Sequence, residues 1–403
     1  MRTDLTWRAL ALGSAALLAL GLTGCSQPGA GTEENSGARQ IVAQVQIDVD
    51  GNKVPSATDV TPADPAGDGT ARCAPVSLAV VGALTGPNAA LGINIRNGAQ
   101  LAAKKHNEAN PDCQVTLEMF DTEGDPQKAT QVAPRIIDDA AIVGMIGPAF
   151  SGETEATADL FEGAGLVSAT ASATRVSLSE QGRKTFFRGL ANDGVQGPAI
   201  ANYLKGEMGA AKVCVIDDST AYGTGLADSV RATLGPVASD CVITVKEADK
   251  EFSAVVNQVK AADPDAVFFS GYYAQAAPLV QQLADAGVRG TFVSADGSKD
   301  QEFVKQGGDA TEGAVLSCPC GPAPDWFRTE YQQASDGAEP GTYSTEGYDL
   351  ATVLLKGIDA GKVTRPELLE FVRGYDAPGV ARRYQWTPQG ELTSTLIWVY
   401  EVK

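Results

Sequence analysis

The chain has 403 residues, of which 31 are Lys or Arg, 50 are Asp or Glu and one is His, giving a formal net charge of −19. With no basic block anywhere along it, it offers a polyanion no electrostatic footprint, so nucleic-acid binding is disfavoured. A lone His106 also leaves little scope for histidine-based metal or triad chemistry.

At the N-terminus, Arg2 and Arg8 precede an apolar run from Ala9 to Leu22 that ends in Leu22-Thr23-Gly24-Cys25. The run is too short to cross a bilayer as a stable helix and leads through small residues into a cysteine, so residues 1–24 read as a signal peptide that is removed. The box resembles the bacterial lipoprotein signal; an ordinary secretory signal with a chance cysteine is the alternative. The resemblance implies that Cys25 becomes the first residue and that its acyl chains hold the protein on a membrane without spanning it. Residues 25–72, rich in Gly, Pro, Ser, Asp and Ala, predict a flexible tether. Within it the alternating stretch Ile41 to Val49 could pair locally as a strand.

From Cys73 on, about 330 residues remain, enough for two domains and a sizeable core. Six cysteines follow Cys25, an even number in an exported chain, which favours disulfides over thiol chemistry. Cys73 and Cys113 each sit at the start of a strand-like run, and Cys214 and Cys241 repeat the arrangement. The expected pairs are Cys73–Cys113 and Cys214–Cys241, with Cys318 and Cys320 left to pair with each other. His106, in Lys104-Lys105-His106-Asn107-Glu108, reads as a solvated surface residue, and no metal site is expected.

Strand-like runs then alternate with helical patterns, as parallel α/β sheets require. The predicted strands are Val76–Val81, Val115–Phe120, Ile142–Ile146, Leu166–Ala169, Val213–Ile216, Val242–Val245, Ala266–Phe269, Thr291–Ser294 and Ala314–Leu316. Helices include Asp125–Ile137, with Asp125 able to cap and Pro126 in the first turn, and Ser253–Ala262, with Val255, Val256 and Val259 on one face. A polar segment, Leu190 to Pro198, interrupts the alternation and reads as a hinge. The expected fold is α/β, two doubly wound parallel-sheet lobes joined by hinge crossings. Lobe 1 takes residues 73–193 and 320–385, and lobe 2 takes 194–319 and 386–403. Two open sheets facing each other place a ligand cleft at the carboxyl ends of their strands.

The segments at those strand ends are Gly82-Ala83-Leu84-Thr85-Gly86-Pro87, Gly147-Pro148-Ala149-Phe150-Ser151-Gly152, Ser172-Ala173-Thr174, Asp217-Asp218-Ser219-Thr220-Ala221-Tyr222-Gly223, Phe252-Ser253-Ala254, Ser270-Gly271-Tyr272-Tyr273, Ala295-Asp296-Gly297 and Gly308-Asp309-Ala310-Thr311-Glu312-Gly313. In text, order and spacing they resemble the branched-chain amino-acid-binding proteins of bacterial import systems, which have the type I periplasmic-binding-protein fold. The resemblance runs from about Val76 to near the C-terminus and implies a site for the two charged ends of an amino acid. Ser151, opening the helical run Glu153–Gly163, would offer its hydroxyl and nearby N–H groups to a carboxylate, or else be a plain cap. Ser172, Ala173 and Thr174 would give donors to the carboxylate and a carbonyl to the ammonium; a Ser/Thr-rich turn is the alternative.

By the same resemblance Asp296 would pair with the ammonium, a turn-forming Asp-Gly being the alternative, and Asp193 would help to fix it or else cap the helix that follows. Tyr222 and Tyr272 would wall the ligand from the second lobe, Tyr272 being favoured over Tyr273; plain packing on the sheet is the alternative. Leu91 stands where some relatives carry an aromatic, and with Phe150 it alters the side-chain pocket, so leucine, isoleucine or valine is not assumed. The expectation is a monomeric binding protein, not an enzyme, that needs no cofactor and hands an amino-acid-like ligand to an ABC transporter permease. Rival readings are a short amide or urea as ligand, a sensory ectodomain, and a hydrolase using Ser151; the last lacks Gly-x-Ser-x-Gly and a suitable histidine.

Overall fold

The computed structural model describes residues 39–56, 61–238 and 240–403. The signal segment, Cys25 and the first part of the expected tether lie outside the described residues. Part of what is described of that tether is paired: β1 (Ile41–Ile47) runs antiparallel to the C-terminal strand Ile397–Val402, and β2 (Lys53–Val54) extends the same sheet. Ile47 is fully buried against Ile397 and Val399, so the alternating pattern outweighs the loose composition once its distant partner is present. Beyond β2 the chain reaches the other lobe, where Ala63 N–H donates to the Pro378 carbonyl and Asn110 Nδ2 donates to the Ala66 carbonyl.

Lobe 1 holds a five-stranded, all-parallel sheet of β3 (Val76–Gly82), β4 (Val115–Asp121), β5 (Ile142–Ile146), β6 (Val167–Thr170) and β7 (Phe186–Arg188), in the order β4-β3-β5-β6-β7. Its first helices are α1 (Ala89–Ala109), α2 (Pro126–Asp138), α3 (Ser151–Gly163) and the single turn α4 (Ser177–Glu180). Asp125 caps α2 by accepting the N–H groups of Gln127 and Lys128, with Pro126 in the first turn as expected.

Lobe 2 follows with α5 (Asp193–Gly206), β8 (Val213–Asp217), α6 (Ala221–Leu234), β9 (Val242–Thr244), α7 (Ser253–Ala262), β10 (Ala266–Ser270), α8 (Tyr273–Asp285), β11 (Thr291–Ser294), α9 (Gln301–Gly307) and β12 (Val315–Cys318). The chain then returns to lobe 1 as α10 (Asp325–Ala334), α11 (Ser344–Asp359), α12 (Arg365–Arg373) and the hairpin of β13 (Asp376–Pro378) and β14 (Arg383–Gln385), before closing as β15 (Ile397–Val402). Helix α11 lies so close on α1 that a Cβ on Gly98 would stand 2.1 Å from the Ser344 carbonyl oxygen, which is why glycine occupies that crossing.

The second sheet has the order β2-β1-β15-β12-β11-β10-β8-β9. It is parallel from β12 to β9, as expected of a doubly wound lobe, and gains antiparallel edge strands in β15, β1 and β2. Every predicted strand is present, and the additional ones are mostly short or paired with partners far away in sequence. Disulfides join Cys73 to Cys113, Cys214 to Cys241 and Cys318 to Cys320. The first two close loops of 40 and 27 residues. Each such closure stabilises by roughly 3–4 kcal/mol in the chain-entropy picture.

His106 is fully buried, contrary to the surface position expected of it. Its Nε2 lies 3.0 Å from the Cys113 carbonyl oxygen and its Nδ1 3.2 Å from Asp359 Oδ1. The helix pattern around it is polar because α1 is covered by α11 and by the segment before β3, and two acceptors replace water. Both ring nitrogens face acceptors, a demand that only the imidazolium meets. Burial pulls its pKa down, but the hydrogen bond and charge of Asp359 and the Cys113 carbonyl more than offset this, and the pKa stands above its ordinary 6.5. A raised folded-state value means stability that is complete below the unfolded pKa and is lost as pH rises through the folded one. Urea unfolding from pH 6 upward is therefore expected to show a decline that His106→Gln reduces; an unaltered slope in that variant would assign the pH dependence elsewhere.

Candidate functional site

The loops leaving the carboxyl ends of the two sheets meet one another. From lobe 1, Arg175 Nη1 donates to the Ala221 carbonyl at 2.9 Å, and the Phe150 ring lies 4.5 Å from the Tyr272 ring, centroid to centroid. Ala90 N–H donates to Tyr273 Oη at 3.2 Å, and Asn94 Nδ2 to Asp300 Oδ2 at 2.9 Å. Tyr273 thus serves lobe contact, while Tyr272 packs between Phe150 and Tyr222.

On the lobe 1 wall, α3 starts at Ser151 with Phe150 in the cap position, so Ser151 is the first helical residue. Phe150 N–H donates to Glu153 Oε2 at 2.8 Å, and the Thr122 hydroxyl donates to Oε1. Burial pushes the Glu153 carboxyl up to about 7 against these two donors. Ser151 Oγ accepts the Arg175 N–H at 3.3 Å, which leaves its proton free to be donated. The next loop is more tied than expected: Ser172 Oγ donates to the Ala149 carbonyl at 2.5 Å, and the N–H groups of Ser172 and Ala173 both point to Thr170 Oγ1. Ser172 and Ala173 shape the loop in this arrangement, while Ser151 and Thr174 keep polar atoms available. Leu91 is fully buried in the first turn of α1 as part of the main core.

Asp193, the first residue of α5, donates its N–H to the Thr174 carbonyl at 2.9 Å; the cap itself is Asn192, whose side chain accepts the Gly194 N–H. The Asp193 carboxyl is fully buried, and neither oxygen has a hydrogen-bond partner of good geometry. Burial pushes it up to about 8, with the Asp296 charge adding and the Thr174 hydroxyl, Arg188 and Arg175 opposing. Gln196 Oε1 is likewise buried without a partner, and Thr174 Oγ1 has none of good geometry beyond its approach to the Asp193 carboxyl. Asp296 is the opposite case. Its Oδ1 accepts Tyr222 Oη at 2.8 Å and Gln196 Nε2 at 2.9 Å, and its Oδ2 accepts Tyr343 Oη at 2.6 Å. Burial raises its pKa while those three donors oppose it. Tyr222 also accepts the Gly297 N–H, and its ring lies 5.2 Å from that of Tyr272.

Three side chains that contact the candidate site residues escaped the sequence reading. Gln196 sat inside the hinge segment, where nothing distinguished it from a solvated polar residue. Tyr343, which reaches Asp296 from the lobe 1 side, stands before α11 with φ 71°. That left-handed conformation is rare for a bulky residue and has no signature in the sequence. Arg188 carried a signal that went unused, a lone cation at the end of the apolar pair Phe186-Phe187. It is fully buried, pairs with Glu391, and donates to the carbonyls of Ala173 and Arg175.

Ser151 and His106 do not form the nucleophile–base pair of a hydrolase. His106 is held by Cys113 and Asp359, and Ser151 Oγ meets a backbone N–H instead of a base. Among the described residues no helix is long and apolar enough to cross a membrane, and no cluster of His, Cys, Asp and Glu could hold a metal ion.

A family model described as periplasmic binding protein matches residues 75–403. An amino acid binding protein of Pseudomonas aeruginosa is 28% identical over 342 residues, 82% of this chain and 91% of that protein. A Leu/Ile/Val-binding protein homolog of Brucella melitensis is 32% identical over 255 residues, 62% of this chain and 69% of that protein. Among solved structures, the branched-chain amino acid transporter substrate-binding protein LivJ of Streptococcus pneumoniae, in complex with isoleucine, shares the fold with a TM-score of 0.76 at 24% identity, covering 82% of this chain and 99% of that one. The matched region takes in both sheets' parallel strands and every cleft residue described above, and the chain belongs to the periplasmic binding protein family.

Proposed function

We propose that the protein captures an aliphatic α-amino acid between its lobes, outside the cytoplasm, and delivers it to an ABC permease while anchored to the membrane through an acylated Cys25. One observation carries the ligand reading: the buried Asp193 carboxyl and Gln196 Oε1 lack a hydrogen-bond partner of good geometry, and the Asp193 N–H is bonded to Thr174, in the loop whose next residue, Arg175, meets Ser151 at a helix N-terminus. Buried acceptors without donors are costly, and a primary ammonium supplies three N–H donors and a positive charge at once. A carboxylate at the Ser151 end is favoured by the partial positive charge of the first turn of α3 and by the free hydroxyl proton. The ligand joins groups from both lobes, so it binds the closed form better and shifts the open–closed equilibrium by that differential affinity.

A thermal-shift screen of the full-length protein against amino acids, short amides, urea and sugars tests this. A ligand at ~100 times its dissociation constant adds about 2.7 kcal/mol, a readily resolved shift. The expected responders are zwitterionic amino acids. A response confined to amides or urea would reject the ammonium assignment, and silence across the panel would favour a sensory role with another ligand. Mass spectrometry of the membrane-extracted protein is expected to show acyl chains on residue 25; an unmodified, secreted N-terminus would refute the anchor.

A further inference from the structure

We infer that Arg175 is a latch between the lobes, a positioning residue that holds the closed form together and so sets how fast a bound ligand escapes. The inference rests on capture between two lobes, not on which ligand is captured. Arg175 follows Thr174, and its main chain belongs to the lobe 1 wall of the site. Its N–H donates to Ser151 Oγ at 3.3 Å, and its carbonyl accepts Arg188 Nη2 at 3.0 Å. Its side chain crosses to the other lobe. Nε donates to Ser177 Oγ at 3.1 Å, which aims the guanidinium, and Nη1 donates to the carbonyl of Ala221, the first residue of α6, at 2.9 Å. Glu155 stands 3.8 Å from the same nitrogen on the lobe 1 side.

The lobe 2 surface has room for this crossing. The arginine stem lies along α6 at Gly225, where a Cβ would stand 3.4 Å from Arg175 Cγ and 3.6 Å from Asp193 Oδ2, so a longer side chain there would take the space of both. The helix starts meet beside it, a Cβ on Gly152 of α3 lying 3.8 Å from Ala221 Cβ. A hydrogen bond from one lobe to the other exists only while the lobes touch, and one with a charged donor is among the stronger kinds. It therefore stabilises the closed form alone and shifts the equilibrium toward it. With 31% of the side chain exposed, solvent screens the bond in part and keeps its effect modest. A rival role for the same residue has the opposite sign. Arg175 is close enough to Asp193 for its charge to oppose the rise of that carboxyl's pKa. A cation that served only to neutralise Asp193 would compete with a bound ammonium, and its removal would tighten binding.

Two measurements on the full-length protein test the latch. The first is the distance between spin labels on the exposed residues Gln127 and Ala248, introduced through Gln127→Cys and Ala248→Cys in the loops that follow the edge strands β4 and β9. The ligand-free protein is expected to show a short-distance population that shrinks in Arg175→Met. Arg175→Lys should lie between, since an ammonium keeps the charge but loses the fixed fork that serves Ser177 and Ala221 together. The second is stopped-flow kinetics with leucine and alanine as probes. Dissociation from Arg175→Met is expected to be roughly 3- to 30-fold faster, with the association rate changed by less than about twofold. Identical distance distributions in the two proteins would overturn the inference, as would tighter amino-acid binding in Arg175→Met, the mark of charge competition. If neither amino acid binds, the amino-acid reading falls while the distances still decide the latch. Should Arg175→Met fail to fold, Arg175→Lys carries the test, and distances equal to those of the parent protein would overturn the inference.

Discussion

Replacing Asp193 with asparagine is expected to lower amino-acid affinity by roughly 30- to several-thousand-fold, the 2–5 kcal/mol typical of removing one partner of a buried charge pair. Of the two cleft acids, Asp296 already has three hydroxyl or amide donors, whereas Asp193 has none of good geometry. On the proposed reading the ammonium is therefore held chiefly by Asp193, beside the Asp296 that the family resemblance implies. Asp296→Asn is expected to act in a different way, by disturbing Tyr222 and Tyr343 and so the closure of the lobes. Asp193→Asn should also make the unliganded protein more stable at neutral pH, because a buried carboxyl without donors is a liability to the fold. Loss of affinity together with a higher melting temperature is the expected signature; a lower melting temperature with affinity unchanged would make Asp193 a structural residue.

The sign of the pH dependence follows from the same group. The folded, unliganded protein holds the Asp193 proton up to about pH 8, while an ordinary aspartate releases it near 3.8. Stability from this group is thus present at low pH and declines as pH rises between those values. A bound ammonium favours the carboxylate, so ligand uptake below about pH 8 must expel a proton. Affinity is expected to rise with pH, by at most tenfold per unit, and to level off above 8. Calorimetry in two buffers of different ionisation enthalpy measures that proton directly. A pH-independent affinity would refute the assignment, and Asp193→Asn should abolish the dependence.

How far the sequence led is best seen at particular residues. The parallel strands and the disulfides were legible because each is a local run or an even count in an exported chain. β1 was only half legible: its alternation was visible, but its partner β15 lies at the far end of the chain, and composition alone argued for a tether. His106 was misread because a polar helix face looks solvated until the elements that cover it are known. At the candidate site, Ser151, Tyr222, Tyr272 and Asp296 were expected from the family resemblance at strand ends and helix starts, and the fold brings Tyr222 onto both Tyr272 and Asp296. Gln196 and Tyr343 could not, since they reach Asp296 from segments with no periodic signal. The division of labour between two buried acids was also out of reach, because it depends on which carboxylate receives donors in three dimensions.

Arg188 supplies the other large expected effect, and it separates the role of the fold from that of the site. Its guanidinium is shared between Glu391, in the segment that leads from β14 to β15, and the carbonyls of Ala173 and Arg175 in the binding loop. The Arg188 carbonyl in turn accepts the indole N–H of Trp386 at 2.7 Å. The side chain therefore ties the loop that presents Thr174 to a chain segment passing between the lobes. Arg188→Met removes the donor and leaves a largely buried Glu391 and two carbonyls unpaired, at an expected cost of about 3–5 kcal/mol in stability. Arg188→Lys cannot reproduce the planar fork that serves three acceptors, so it should recover only part of that. In the double variant Arg188→Met with Glu391→Gln, the stranded charge is gone and much of the stability should return. Ligand affinity should not, because the carbonyls of Ala173 and Arg175 still lack their donor and Thr174 is no longer held toward Asp193. Recovery of both quantities together would mean that Arg188 merely neutralises Glu391; recovery of stability alone, read by urea unfolding beside calorimetry, would establish it as the residue that positions the binding loop.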